Sequence, residues 1–153
     1  MRRELFLDIL VHSYLTSFLA LWIYLKSGSL FYSAVFIFGG IFIDLDHLID
    51  YFIAYGSKFS IKDFFGSGSL KSGKVYLFLH SWEIIFIILL FYLVTSSYAV
   101  LLLFLSMSMH LIIDNLQREN LRIYFLTYRI INKFDVRLIL PEAILLFPEL
   151  KDK

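Results

Sequence analysis

The sequence predicts an all-α fold: a polytopic membrane four-helix bundle with a C-terminal interfacial amphipathic segment. Three observations predict it. Of the 153 residues, 59% are hydrophobic and 17 are phenylalanine, and the mean hydropathy is +0.77, which lies outside the range of soluble globular chains. Four stretches, about 5–25, 30–50, 75–94 and 98–114, approach or reach the roughly 20 apolar residues a helix needs to cross a ~30 Å hydrocarbon layer. If all four cross, 13 of the 14 Lys and Arg residues fall on one side and only Lys26 on the other. The positive-inside rule then makes both termini cytoplasmic, in an inner (cytoplasmic) membrane.

The elements follow in order. Met1-Arg2-Arg3-Glu4 before an apolar run imitates a signal peptide. The run instead continues to Leu25 and ends at Lys26-Ser27-Gly28-Ser29 with no small-x-small cleavage pattern, so it reads as a retained first span. That turn and Thr95-Ser96-Ser97 are short enough to make antiparallel hairpins of spans one and two and of spans three and four. Gly39-Gly40 predicts close backbone approach to a neighbouring helix. Residues 56–74 are rich in Gly, Ser and Lys and read as a surface connector, with a lid over a site as the sharper alternative. Spans and connectors make up a transmembrane domain, 1–117, and 118–153 a cytoplasmic or interfacial tail. Within the tail, 121–140 carries Arg122, Arg129, Lys133 and Arg137 among apolar residues. Four such charges are costly in lipid, which predicts an interfacial helix rather than a fifth span. Pro141 and Pro148 break the chain beyond it.

The chemistry is concentrated at 44–50, Asp-Leu-Asp-His-Leu-Ile-Asp, directly after an apolar run. Three carboxylates and an imidazole there call for a compensating cation, and a bound metal is the simplest one. All four histidines have a carboxylate within one helical turn: Asp8 with His12, Asp46 and Asp50 with His47, Glu83 with His80, Asp114 with His110. Up-down-up-down connectivity brings the four clusters to the cytoplasmic side, each from a different span, as in soluble carboxylate-bridged dimetal bundles. With no cysteine, the donors are His, Asp and Glu, which suit a divalent ion: zinc first, with manganese, iron and magnesium as alternatives, one or two ions. The predicted ligands are His12, Asp46, His47, His80, His110 and Asp114. Asp44, Asp50 and Glu83 are the candidates for catalytic work, Glu83 as general base. A single intramembrane histidine is more often a packing residue, but four coincident pairs at one depth weigh against that. Ser81 lacks triad spacing, and Trp22 and Trp82 read as interface anchors.

Asp44-Leu45-Asp46-His47, the His80-Ser81 step and His110-x-x-x-Asp114 resemble the YdjM-like family, described as LexA-binding, inner-membrane-associated metal-dependent hydrolases. The resemblance spans 12–114 and implies a small polytopic protein with a hydrolytic metal centre on His12, Asp46, His47, His80, His110 and Asp114. The chain departs from the pattern at Ile43, where the family often has Pro, and at Val75, where it has a His; Glu83 is the nearest replacement ligand. His-x-x-x-Asp is also distantly similar to motifs of zinc-dependent phospholipase C and P1-type nucleases, without their amino-terminal Trp ligand. The expectation is a membrane-embedded hydrolase cleaving a phosphoester of a lipid or membrane-associated substrate at the cytoplasmic face. Lys58, Lys62, Lys71, Lys74, Arg118 and Arg122 would stand around its mouth, equally well placed as topology determinants. The alternative is a non-catalytic metal-binding or transport protein. Expected partners are membrane lipids and a lipid-like or phosphorylated small substrate. No helix-turn-helix pattern supports a nucleic-acid partner.

Overall fold

The computed structural model describes residues 2–58, 60, 64, 70, 72–117 and 120–141, with backbone alone at 2–8, 54 and 117. The elements are α1 (Arg2–Ser27), α2 (Leu30–Ile41), a 3-10 turn (Phe42–Asp44), α3 (Leu45–Tyr55), α4 (Trp82–Thr95), α5 (Tyr98–Gln117), a second 3-10 turn (Leu121–Tyr124), α6 (Leu126–Ile131) and α7 (Val136–Ile139). No strand occurs among the described residues; Lys74 and Asp135 form an isolated antiparallel bridge.

Among the described residues, three helical stretches are long and apolar enough to cross a membrane: Ile9–Ser27, Leu30–Ile53 and Tyr98–Leu116. The expected third span differs. Trp82–Thr95 is apolar but has 14 residues, about 21 Å at 1.5 Å per residue. The helix starts seven residues late because the amides of Tyr76, Leu79 and His80 are taken by carboxylates of α3, and Leu77 has a φ of 43°. Side-chain acceptors have outcompeted the helical ladder there.

The chain divides into two compact units, Met1–Ile43 with Trp82–Arg118 and Asp44–Ser81 with Glu119–Lys153. In the first, α1 packs on α2, α2 on α5, and α4 on α5. Gly28, at a φ of 66°, ends α1 through its amide on the Tyr24 carbonyl at 2.8 Å. Ser29 then caps α2 by accepting the Tyr32 amide, and the two-residue link makes α1 and α2 antiparallel. Ala20, Ile23, Phe36 and Leu102 form the core, flanked by Leu19, Tyr32, Val35 and Met109. Gly39 and Gly40 sit where larger residues would collide. A Cβ on Gly40 would lie 2.6 Å from Thr16 Oγ1 and Cγ2, and one on Gly39 would lie 3.2 Å from the Leu103 carbonyl.

In the second unit the expected single helix over 121–140 is corrected to short pieces. Asn120 accepts the Arg122 amide and starts the second 3-10 turn. Lys133 and Phe134, at φ of 52° and 57°, reverse the chain, and Asp135 caps α7 by accepting the Arg137 amide at 2.9 Å. The reversal is locked to residues 73–75 by Val75 N on Phe134 O and Val136 N on Gly73 O, each at 3.0 Å. Arg129, expected at an interface, is fully buried. The expected connector or lid at 56–74 and the tail beyond Pro141 fall largely outside the described residues.

Candidate metal centre

Five of the six predicted ligands, all but Asp46, fall with Asp44 into two groups, one in each unit. In the first unit the group is His12, His110 and Asp114. α1 contributes His12 and α5 contributes the i, i+4 pair His110 and Asp114, so one helical turn puts the latter two on one face. His12 Nε2 lies 3.1 Å from Asp114 Oδ1, and His110 Nε2 lies 3.8 Å from Asp114 Oδ2. The two imidazoles stack with centroids 3.9 Å apart, and both are buried. His110 Nδ1 is 2.9 Å from the Gly40 carbonyl, which accepts the ring N–H. Gly40 lies in the last turn of α2, where carbonyls lack intrahelical partners. The bond fixes the tautomer and leaves the Nε2 lone pair directed at Asp114, the usual preparation of a metal-binding imidazole.

In the second unit the group is Asp44, His47 and His80. Asp44 stands at the N-cap position of α3 but makes no side-chain cap bond; its Oδ1 is instead 3.4 Å from His80 Nε2. The His47 and His80 rings are 4.9 Å apart. His80 is held from the other side by Asp46, whose Oδ2 lies 3.5 Å from His80 Nδ1 and accepts the Leu79 and His80 amides. The second Asp46 oxygen is buried without a hydrogen-bond partner. Asp44 keeps 44% of its side-chain surface exposed while Asp46 has none, so Asp44 is the open side of this group.

These positions redistribute the expected roles. Asp44, predicted as catalytic, stands among the donors; Asp46, predicted as a ligand, faces the imidazole and backbone behind it. Asp50, predicted as catalytic, is buried and accepts the Tyr76 amide on both oxygens, at 3.1 and 3.0 Å. Glu83, in the first turn of α4, belongs to neither group. Asp8 lies outside the described side chains, as do Lys62, Lys71 and Arg118 of the expected basic mouth. Lys74 donates its ammonium to the Lys133 carbonyl at 2.7 Å. Arg129 was missed as a site residue, because its signal was read as surface amphipathicity.

The donor sets fit a small divalent ion. In each group one ligand atom per residue can be chosen so that all three lie within 4.8 Å of one another, near enough to share an ion. Two His and one Asp per group leave room for further ligands on each ion. Buried His and Asp clusters able to hold a metal ion, in a helical chain with membrane-spanning candidates, are what the fold and site define. No family model matches the chain, and no curated protein or solved structure matches it either.

Proposed function

We propose that the chain is a membrane-embedded, metal-dependent hydrolase acting on a phosphoester of a lipid or membrane-associated substrate at the cytoplasmic face. The observation that carries the reading is the pair of His/carboxylate groups with tautomer-fixing partners behind them: the Gly40 carbonyl on His110 and Asp46 on His80. An imidazole that only packs needs no such orientation. A divalent ion held by either group would polarise a phosphoryl oxygen and bring the acidity of a water toward neutrality. The chain's residues divide the remaining work. His12, His110 and Asp114 hold charge in a buried setting, and Asp44, exposed beside His47 and His80, keeps its group open to reactants. The resemblance to the YdjM-like hydrolases agrees with this and rests on the motif residues alone.

The proposal keeps four crossings with both termini cytoplasmic. α4 then completes the even number, its short length being met by local thinning of the bilayer. The largely buried His12 group on its own also suits the alternative of an ion-holding protein without turnover. Purified full-length protein in nanodiscs separates the two. Elemental analysis should show zinc or a related divalent ion, depleted in His110→Ala and Asp44→Asn. Hydrolysis of phosphodiester and phosphatidate substrates should stop in both. Metal retained in both variants overturns the site, and metal present with no hydrolysis of any phosphoester leaves the ion-holding reading.

A further inference from the structure

Residues 75–81 carry His80 in neither helix nor strand, so something other than a backbone ladder must hold the imidazole in place. Three side chains do. Asp50 takes the Tyr76 amide, Asp46 takes the Leu79 and His80 amides, and Arg129 Nη2 donates to the His80 carbonyl at 3.2 Å. The His80 peptide is thus gripped at its N–H by a carboxylate and at its C=O by a guanidinium. Its ring stands between Asp46 at Nδ1 and Asp44 at Nε2.

Arg129 is an expensive choice for this. It is fully buried, and it is the one Lys or Arg buried among the described residues. Desolvating a guanidinium costs several kcal/mol unless its charge and donors are matched. The charge has a counterpart in the same unit, where Asp46 and Asp50 are both buried. The helix that carries Arg129 is six residues long, and it is tied down at that residue: Arg129 N donates to Phe125 O at 3.2 Å and Phe134 N to Arg129 O at 2.7 Å. A planar fork fixed at its own backbone sets a carbonyl in position in a way that a flexible ammonium does not.

We infer that Arg129 is a positioning residue for His80, holding its peptide so that Nε2 faces Asp44 and His47, an inference that rests on the proposed metal centre only for its purpose. Full-length protein carrying ¹⁵N-labelled histidine offers four ring systems, and ring ¹⁵N shifts report tautomer and hydrogen bonding without any ion. Arg129→Met, Arg129→Gln and Arg129→Lys are compared with the parent, with the helical circular dichroism and thermal transition as the fold check. The expected result is that the His80 and His47 ring signals shift in every folded variant while His12 and His110 stay put, with Arg129→Gln, which keeps a planar N–H donor, closest to the parent. Cobalt titration in a His110→Ala background, which isolates the second group, should show affinity reduced tenfold or more in Arg129→Lys and an altered ligand-field spectrum. Unmoved His80 signals in a folded Arg129→Lys or Arg129→Met protein overturn the inference, as do shifts of all four histidines alike. If the His80 ring responds but cobalt binds neither variant nor parent, the positioning role stands and the metal centre falls.

Discussion

Gly40 joins the helix packing to the chemistry, which makes Gly40→Ala the most informative single substitution. A Cβ there would lie 2.6 Å from Thr16 Oγ1 and Cγ2 and 3.2 Å from Thr16 Cβ, so α1 and α2 must separate by about 1 Å to restore ordinary contact, at an overpacking cost of ~1–3 kcal/mol. Alanine regains ~0.5–1 kcal/mol of backbone entropy in a helix, leaving a net loss of up to roughly 2.5 kcal/mol. The displacement also moves the carbonyl that accepts His110 Nδ1 at 2.9 Å, so divalent-ion affinity at the His12 group should fall with stability. Thr16 supplies the control. Its hydroxyl is buried without a hydrogen-bond partner, so Thr16→Ala breaks no bond and removes the two nearest colliding atoms. Reversible unfolding in mild detergent, followed by tryptophan fluorescence, together with cobalt titration, should show Gly40→Ala impaired in both measures and the Thr16→Ala/Gly40→Ala protein recovering both. Undiminished stability and ion affinity in Gly40→Ala, or a double variant no better than the single, would refute the link between this contact and the site.

Further predictions address topology, the divided roles of the carboxylates, and the tail. The chain has no cysteine, so single Ser29→Cys and Ser97→Cys variants should react with an impermeant maleimide on intact cells and Ser57→Cys only after permeabilisation; Ser97 protected with Ser29 labelled would rule out four crossings. Asp44→Asn should remove cobalt binding at the second group while leaving the secondary structure intact, whereas Asp46→Asn should disturb the amide protons of Leu79 and His80 as well; identical effects on those amides would refute the division. Asp135 has its carboxyl pulled down to about 2, chiefly by its hydrogen bond from the Arg137 guanidinium. Its contribution is therefore complete above the ordinary carboxylate range and lost as pH falls from about 4 through 2. The protection factor of the Arg137 amide should fall across that window and become flat in Asp135→Asn; an unchanged pH dependence in that variant would place the cause elsewhere.

How much of this was legible beforehand depends on whether a feature is written in local pattern or in tertiary competition. The helices α1, α2 with α3, and α5 follow from unbroken apolar runs bounded by Lys26-Ser27-Gly28-Ser29 and Thr95-Ser96-Ser97, and hydropathy reads such runs directly. Gly39-Gly40 was also legible, because adjacent glycines inside an apolar helix have few other uses. Residues 75–81 were not. Val75-Tyr76-Leu77-Phe78-Leu79 is as apolar as the helix after it, and only the α3 carboxylates, distant in sequence, show that its amides are spoken for. In the tail, Asn120, Asn132 and Asp135 were capping and turn signals open to reading, but four basic residues at wide spacing drew the interpretation toward one amphipathic helix.

The same distinction separates the carboxylates of 44–50 by position. Spacing along one helix places Asp44, Asp46 and Asp50 within two turns, but the 3-10 turn at Phe42–Asp44 changes the angular step just where the first carboxylate stands. An α-helical count thus misjudges the direction of Asp44 relative to Asp46, since 3-10 geometry advances each residue by about 120° rather than about 100°. The Asp46 and Asp50 side chains then meet amides of residues 76, 79 and 80, and a buried carboxylate that accepts backbone N–H groups is held in place and has less freedom to move toward an ion. Asp44 makes no side-chain cap bond at the start of α3 and faces the His80 imidazole instead. Of three carboxylates close together in the sequence, Asp46 and Asp50 accept amides of residues 76, 79 and 80, while Asp44 stands 3.4 Å from His80 Nε2 with 44% of its side-chain surface exposed.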